Sequence, residues 1–362
     1  MSTTDPGRSP GGAVRWLLFW LLLAAAGLAG WLSQVEGAEQ GRAWRSLLIN
    51  FLFFSSLSGG LVVWPALVLA CNGRWHLRVE RLASAGITFA VPSLLALVAL
   101  WGGSAQWAPW DHARFQQGIW LDSAFLFGRD LMALLTFWGL AVCHLLQRQK
   151  GGGKRCGTVL LLVYCLTFSL LGFDLVMALD PHFHSNLAGG YFFISGLYIA
   201  MTFWAFLASW HRESAPDQLH DLGKLMVGFS LMTTYLMYAH LLPFWYENLP
   251  REVRFLVPRM RNEDWSPVSR LLLCLAYFGP LLFLLPASFK RNRFSLGVIS
   301  SLVLAGMWLE RWWLVAPTFD PLPRLGLSEL SLAAAFTGLL GLGMLLYLRY
   351  LPGNRPPQGE EP

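Results

Sequence analysis

Long apolar runs separated by short polar segments fill most of this chain. A helix needs about 20 apolar residues to cross the hydrocarbon core of a bilayer. Ten runs approach or exceed that length, and each predicts a membrane-spanning helix: 14–32, 46–71, 82–101, 124–147, 156–179, 189–210, 222–243, 269–288, 295–316 and 330–350. We therefore predict an all-α integral membrane fold with one transmembrane domain over 14–351. The polar, Gly- and Pro-rich ends, 1–13 and 352–362, are predicted to be disordered tails.

The first run has a second interpretation. It follows Arg8 and Arg15, as the apolar part of a signal peptide follows basic residues. Its apolar stretch is long and no small-x-small cleavage site follows it. We therefore predict a retained helix.

Composition agrees with a membrane protein. Hydrophobic residues make up 55% of the chain and charged residues 13%, whereas soluble domains carry about twice that share of charge. The 18 Trp and 25 Phe fit aromatic belts at two membrane interfaces. The net charge of +6 comes from basic residues in short loops, so we attribute it to topology and expect lipid, not nucleic acid, as the surroundings.

The loop charges predict the orientation. With a cytoplasmic N-terminus, the cytoplasmic segments carry 16 Lys and Arg residues and the opposite side carries nine. Five of those nine belong to one loop region that also carries four acidic residues. Since Lys and Arg collect on the cytoplasmic side, both termini are predicted to be cytoplasmic. The opposite side is called the outer side below.

Two outer loops are long enough to bind a partner. They are 102–123, which contains three tryptophans, and 244–268. Long loops that keep aromatic residues are candidates for docking. The inner loops are short and basic, so we predict that partners bind on the outer side.

Ionisable residues inside or at the ends of apolar runs are the candidates for chemistry, because a charge in the membrane is costly and usually functional. The candidates for a proton pathway or for buried ion pairs are Asp174, Asp180, His182, Arg129, Asp130, His240, Glu310, Arg311 and Lys224. Most of them fall in the outer third of the predicted membrane. Structural ion pairing and proton exchange both remain open for Asp174.

The predicted helix positions of these candidates suggest a role for several of them. Antiparallel helices over 124–147 and 156–179 would bring Arg129 to Asp174. Lys224 lies close enough to the inner boundary to extend its ammonium group into water. His240 could join a relay or pack as a hydrogen-bonded histidine, and His182 at a helix end is expected to face solvent or a partner.

A run of small residues and the positions of His and Cys give two further predictions. The Ser-Ser-Leu-Ser-Gly-Gly segment at 55–60 predicts close helix packing, with room for a quinone head group or waters as the alternative. His144 and His240 lie near opposite membrane faces and cannot pair on a haem b. The five cysteines form no Cys-x-x-Cys or Cys-x-x-Cys-His motif, so we predict no iron–sulfur cluster, c-type haem or structural disulfide in this chain.

Three ordered segments resemble a known family. Phe-Asp-Leu-Val-Met-Ala-Leu-Asp-Pro-His at 173–182, followed by Gly-Tyr-Phe-Phe at 190–193, is similar to a segment of the F subunit of alternative complex III. Asp-Leu-Gly-Lys-Leu at 221–225 and Trp-Tyr-Glu-Asn-Leu-Pro-Arg-Glu at 245–252 also resemble segments of that family. These subunits of quinol:cytochrome c oxidoreductases are distant relatives of the NrfD/polysulfide-reductase membrane subunits.

The chain departs from the family pattern at four positions. Leu175, Ala178, Phe183 and Glu247 stand where the family has Trp, Ser, Trp and Gly. Both aspartates and the histidine of the 173–182 segment are kept. The departures indicate a divergent member, which could belong to a different complex.

The resemblance implies a fold and a set of partners. It implies two four-helix bundles with flanking helices, in the bacterial inner membrane. The chain would bind no redox cofactor of its own. Quinol would bind a sister NrfD-like membrane subunit, and extracytoplasmic subunits would carry iron–sulfur clusters and c-type haems. A proton-conducting role is also implied.

Three other functions stay open. The first is a quinol-binding NrfD-type subunit, whose site lies in a helix bundle near the outer surface. The second is a secondary transporter, which predicts discontinuous helices around a site at mid-membrane. The third is a structural anchor without a chemical role.

Overall fold

A computed structural model describes residues 10–37, 39–73, 79–111, 117–211, 214–247, 255 and 257–350. The structure is 85% helical, with no strand in the described ranges. Nine helical segments within these ranges have the length and hydropathy to cross a membrane, so the chain is a multi-pass membrane protein. Of the predicted tails, 1–9 and 352–362 lie outside the described residues.

Fourteen α-helices follow one another along the described chain: α1 Pro10–Val35, α2 Gln40–Ala70, α3 Glu80–Ser84, α4 Ala90–Gly102, α5 Ser104–Trp107, α6 Ser123–Gln149, α7 Lys154–Leu175, α8 Ala188–Trp210, α9 Pro216–Glu247, α10 Ser266–Leu272, α11 Gly279–Phe283, α12 Ala287–Arg291, α13 Arg293–Val315 and α14 Leu327–Tyr350. A 3₁₀ turn over Ala85–Phe89 joins α3 to α4, and a π-helical turn over Leu273–Phe278 joins α10 to α11. All ten predicted runs fall on these helices. The run 222–243 lies in α9, which is 32 residues long and is not one of the nine segments; we keep it as the tenth predicted span.

Several helices extend beyond the predicted apolar runs. α1 begins at Pro10, so the predicted tail is too long by four residues. α2 begins at Gln40 instead of 46. Its charged first turns stay helical because Arg42 bonds to Glu329, with 2.9 Å between Nε and Oε1. Polar residues that hydropathy leaves outside the predicted run are thus stabilised in the helix by partners distant in sequence.

The predicted run 269–288 is wrong at both ends. The helical segment begins at Ser266 and ends at Phe283. Pro286 disfavours a helical conformation at the residue before it, and α12 then forms a separate short helix.

The long helices form two bundles, as predicted. The first contains α2, α4, α6 and α7, and the second contains α8, α9, the α10–α11 segment and α13. α2 and α7 pack against α8 and so join the bundles. α1 and α14 pair with each other and flank α2.

Two glycines of α2 allow close contact with its neighbours, Gly59 with α7 in the same bundle and Gly60 with α8 in the second bundle. A Cβ on Gly59 would lie 2.5 Å from Phe168 Cζ, and one on Gly60 would lie 2.5 Å from Ala200 Cβ. Only a residue without a side chain fits at such distances. Gly59 and Gly60 therefore serve close packing, as predicted for this segment.

The outer loops pack inward more than predicted. Trp107 and Trp110 are buried, and each ring contacts Phe127 at the start of α6. Trp120 is 46% exposed. Two of the three tryptophans are thus part of the bundle's own core. In the described part of 102–123, Trp120 is the one of the three tryptophans left exposed, and docking by this segment stays a prediction.

The second outer loop is also partly buried. Of its described residues, Phe255, Arg259 and Trp265 are buried. Its predicted start is wrong, because α9 continues to Glu247. Residues 248–254 of the predicted docking loop lie outside the described residues.

Candidate functional site

Arg129 and Asp174 form an ion pair between helices α6 and α7. Arg129 Nη2 donates to Asp174 Oδ2 at 2.5 Å. The Asp174 side chain is 1% exposed and that of Arg129 is 16% exposed. The antiparallel neighbours bring the two residues together as the sequence predicted.

Aromatic rings cover the guanidinium of this pair. Its central carbon lies 3.7 Å from the centroid of the Trp120 ring and 5.1 Å from that of Phe125. Asp122 fixes the start of α6 because its Oδ1 accepts a hydrogen bond from the Phe125 amide at 3.1 Å. The cap, Trp120 and Phe125 therefore hold Arg129 in a preformed aromatic enclosure.

Asp130 adds a second carboxyl group to this site. Its side chain is fully buried, and its carboxyl group interacts electrostatically with that of Asp174. Neither Asp130 oxygen meets a hydrogen-bond donor among the described residues, and Asp174 Oδ1 meets none there either. The site, called the acid-pair site below, thus contains Arg129, Asp130 and Asp174, with two carboxyl groups for one cation.

Glu310 and Arg311 form a second buried site on α13. Both side chains are fully buried. Arg311 Nη1 donates to Glu310 Oε2 at 2.9 Å, and Arg311 Nη2 donates to Ser195 Oγ at 2.8 Å. The Tyr191 hydroxyl donates to Glu310 Oε1 and lies 2.9 Å from the Tyr277 hydroxyl. This site is balanced, with one carboxylate for one cation.

A π-helical turn positions Tyr277 at the second site. Such a turn shifts the backbone hydrogen-bond pattern and leaves carbonyl groups without helical partners. Tyr198 donates to the Ala276 carbonyl at 2.8 Å, and Ser230 donates to the Tyr277 carbonyl at 2.8 Å. Tyr191 and Tyr277 were not among the predicted site residues, because phenols are neutral and do not stand out in an apolar run as charged residues do. Tyr191 lies close to a break between apolar runs, and that position is a sequence signal that points to it, whereas Tyr277 lies inside a run.

An apolar cavity of about 60 Å³ borders the second site. Phe183, Phe192 and Trp313 line it, with Tyr191 and His240 at its wall. The His240 ring lies 6.2 Å from the Tyr191 ring and 6.3 Å from the Phe183 ring, centroid to centroid. His240 is therefore half-buried at the wall of the cavity next to the second site. It is distant in sequence from Asp130 and Asp174 of the acid-pair site.

The other predicted residues lie elsewhere. Asp180 Oδ1 accepts a hydrogen bond from the His182 amide at 3.2 Å, which closes the turn after α7. The His182 side chain is exposed. Lys224 is 55% exposed and bonds to Asp221 at 2.9 Å on the same helix. These residues stabilise a turn and a helix surface, and the structure does not bring them into the two buried sites.

Arg259 is a buried residue that the sequence did not single out. Its Nε donates to the Trp313 carbonyl at 3.1 Å and its Nη2 to the Leu314 carbonyl at 2.7 Å. These carbonyls lie at the C-terminal end of α13, where a cation is favourable. Burial lowers the pKa of Arg259 to about 9, so the guanidinium keeps its charge at neutral pH. Arg259 thus fixes the second outer loop to α13.

No family model matches this chain, and no curated protein matches it. In the part of the chain that the structure describes, no group of three or more His, Cys, Asp or Glu side chains could hold a metal ion. The two buried sites present carboxyl, guanidinium and phenol groups, and the His240 imidazole lies next to the second site. Carboxyl, phenol and imidazole groups can bind and transfer protons, whereas a guanidinium stays charged.

Proposed function

We propose that this chain is an integral membrane subunit of a respiratory quinol:electron-acceptor oxidoreductase of the alternative complex III type. It binds no redox cofactor of its own and contributes a proton pathway. The observation that carries the proposal is the acid-pair site, where two buried carboxyl groups share one cation.

The charge of the acid-pair site favours proton binding over packing alone. A buried ion pair that only holds helices together is neutral, as Glu310 and Arg311 are. Asp130 adds a carboxyl group for which the described residues supply no cation of its own. Two adjacent buried carboxylates repel each other strongly, so binding one proton is the simplest way to neutralise the site.

The respiratory assignment rests on the motif resemblance. Asp174 belongs to the 173–182 segment that resembles the F subunit of alternative complex III. By that resemblance, the partners are a quinol-binding NrfD-like membrane subunit and extracytoplasmic subunits with iron–sulfur clusters and several c-type haems. The location is then the bacterial inner membrane, with both termini cytoplasmic and the acid-pair site in the outer third.

One observation favours the second candidate, a quinol-binding NrfD-type subunit. The apolar cavity beside Tyr191 and His240 lies between the end of α7 and the second bundle, and apolar pockets with a few convergent polar groups are typical ligand sites. Its volume of about 60 Å³ is small beside the roughly 300–1,000 Å³ of typical ligand pockets. The small size of the cavity favours a cofactor-free subunit over a quinol-binding one.

The transporter hypothesis has less support. In many transporters, carbonyls freed at a helix break coordinate the substrate or its coupled ion. Here the break between α10 and α11 frees the Ala276 and Tyr277 carbonyls, and the Tyr198 and Ser230 hydroxyls occupy them. One acceptor position of each carbonyl is thus taken by a protein hydroxyl, which makes these carbonyls weaker candidates for coordinating a transported ion.

Purification of the intact complex tests the proposed function. A tag at the C-terminal end should recover subunits with covalently bound haem and an iron–sulfur protein, together with quinol-oxidising activity. Removal of those partners should leave this chain without a Soret band and without iron. A chain that purifies from its native membrane without any redox-active partner would overturn the proposal.

A further inference from the structure

The two carboxyl groups of the acid-pair site have different surroundings. Asp174 Oδ2 accepts a charged hydrogen bond from Arg129. Asp130 is fully buried, and neither of its oxygens meets a donor among the described residues. One carboxyl group therefore has a charged hydrogen-bond partner, and the other has no comparable partner.

The carboxyl group that acts on Asp130 is itself an acceptor. Asp130 and Asp174 interact electrostatically, and Asp174 Oδ1, like both oxygens of Asp130, is buried without a donor in the described structure. Two ionised carboxylates cannot form a hydrogen bond. A proton on Asp130 would donate to Asp174 Oδ1 and satisfy both residues.

The charged groups that face Asp130 are few. Arg129 on its own helix and Asp174 on α7 are the two that act on it. The bundle neighbours α2, after Arg45, and α4 contain no Asp, Glu, Lys, Arg or His. The Arg129 guanidinium is directed to Asp174 and lies against the Trp120 ring. The surroundings thus leave Asp130 as the only group of the three without a charge partner of its own.

We propose that Asp130 is the residue of this site that binds and releases the proton. Asp174 is a positioning residue, the fixed counter-ion of Arg129 and the acceptor for the Asp130 O–H group. In the protonated state the three residues have no net charge. On release, the O–H bond of Asp130 breaks, the proton leaves to water or the next carrier, and the site gains one negative charge.

The inference deepens the proposed proton pathway, but the protonation state can be measured on the purified chain alone. Infrared spectroscopy of the intact chain in detergent should show the carbonyl-stretch band of a protonated, buried carboxylic acid, shifted by exchange into deuterium oxide. Asp130→Asn should remove that band and leave the thermal unfolding temperature nearly unchanged, because the Arg129–Asp174 pair remains. Asp221→Asn removes a partly exposed carboxyl group on α9, and this control should leave the Asp130 band in place.

Persistence of the band in Asp130→Asn would overturn the inference, because another acid would then carry the proton. If Asp130→Asn does not fold, Asp130→Glu should shift the band, and an unshifted band in that variant would overturn the inference equally. A band assigned to Asp130, together with normal proton movement by the complex with Asp130→Asn, would keep the inference and contradict the proposed proton pathway.

Discussion

Arg129 on α6 and Asp174 on α7 lie 2.5 Å apart between Nη2 and Oδ2, and this contact connects two helices of the first bundle. Asp174 is almost completely buried, whereas Arg129 reaches the bundle surface under Trp120. The pair therefore couples helix packing to the chemistry of the acid-pair site.

Breaking this pair should destabilise the protein strongly. Removing one member of a buried ion pair typically costs about 3–5 kcal/mol, because the other charge loses its partner. We predict that Arg129→Met lowers the free energy of unfolding in detergent by about that amount. The double variant Arg129→Met with Asp174→Leu should recover much of the loss.

The surface pair of Lys224 and Asp221 provides the control. Its side chains are 55% and 35% exposed, and exposed pairs contribute about 0–1 kcal/mol. Lys224→Ala should therefore leave the unfolding transition nearly unchanged. Equal effects of Arg129→Met and Lys224→Ala would mean that the Arg129–Asp174 contact does not hold the two helices together.

Arg259 is predicted to fix the outer loop to the end of α13. Arg259→Met removes donors to the Trp313 and Leu314 carbonyls and leaves those buried carbonyls without partners. Hydrogen bonds to charged groups contribute about 1.5–3 kcal/mol each, so the loss should be several kcal/mol locally. Faster amide hydrogen exchange over 313–318 would show it.

Arg261 is the matched control for this change. It lies two residues from Arg259 and is exposed. Arg261→Met should leave hydrogen exchange over 313–318 unchanged, and similar exchange in both variants would exclude a capping role for Arg259. Deleting 254–264 to remove a docking loop would also remove this cap, so single surface substitutions test docking more cleanly.

The pairing of α1 with α14 should depend on glycine. A Cβ on Gly338 would lie 2.6 Å from the Ala24 nitrogen and 2.8 Å from the Trp20 carbonyl oxygen. Both atoms are backbone, so the helices must separate to accept it. We predict that Gly338→Ala destabilises the chain by about 1–3 kcal/mol, as overpacking does.

Gly139→Ala is the control for Gly338→Ala, because the space beside Gly139 is open. A Cβ there meets nothing within 4 Å. Gly139→Ala should be neutral or stabilise α6 by about 0.5–1 kcal/mol. A loss of stability for Gly139→Ala similar to that for Gly338→Ala would contradict the packing explanation. Thermal unfolding in the same detergent compares the two.

Much of the fold follows from local sequence properties. The ten apolar runs locate the helices because apolar length is a property of each segment alone. The Arg129–Asp174 contact also follows, since consecutive antiparallel helices place residues of similar depth side by side. Small residues at 55–60 predict close packing for the same kind of reason.

The rest depends on contacts between distant segments. Arg259 is buried because its loop folds back onto α13, which hydropathy cannot predict. Tyr277 reaches Tyr191 through a π-helical turn whose carbonyls need donors from α8 and α9. The different surroundings of Asp130 and Asp174 arise from side-chain direction within one cluster, so sequence position alone could not separate their roles.

The proposed topology can be tested with reporter fusions. A periplasm-active reporter fused after Leu179 should be active, because the loop charges place that position outside. A fusion at Gly152 should be inactive in the same assay. Reversed activities would invert the membrane orientation and place the acid-pair site near the cytoplasm.

Two substitutions in the assembled complex separate proton binding from packing. Asp130→Asn keeps the side-chain shape and removes the exchangeable proton, while Arg129 and Asp174 stay paired. Asp174→Asn instead leaves Arg129 without its counter-ion, so that complex should be scarce. A well-assembled Asp174→Asn complex with normal turnover and normal proton movement would exclude both a pairing and a conducting role for Asp174.

The most direct measurement is the number of protons moved per electron by the complex with Asp130→Asn, reconstituted in sealed vesicles and supplied with a quinol and an electron acceptor. We predict normal assembly and electron transfer, with loss of the proton movement that depends on this chain. A proton-to-electron ratio equal to that of the unmodified complex would contradict the proposal that this subunit contributes a proton pathway through the acid-pair site.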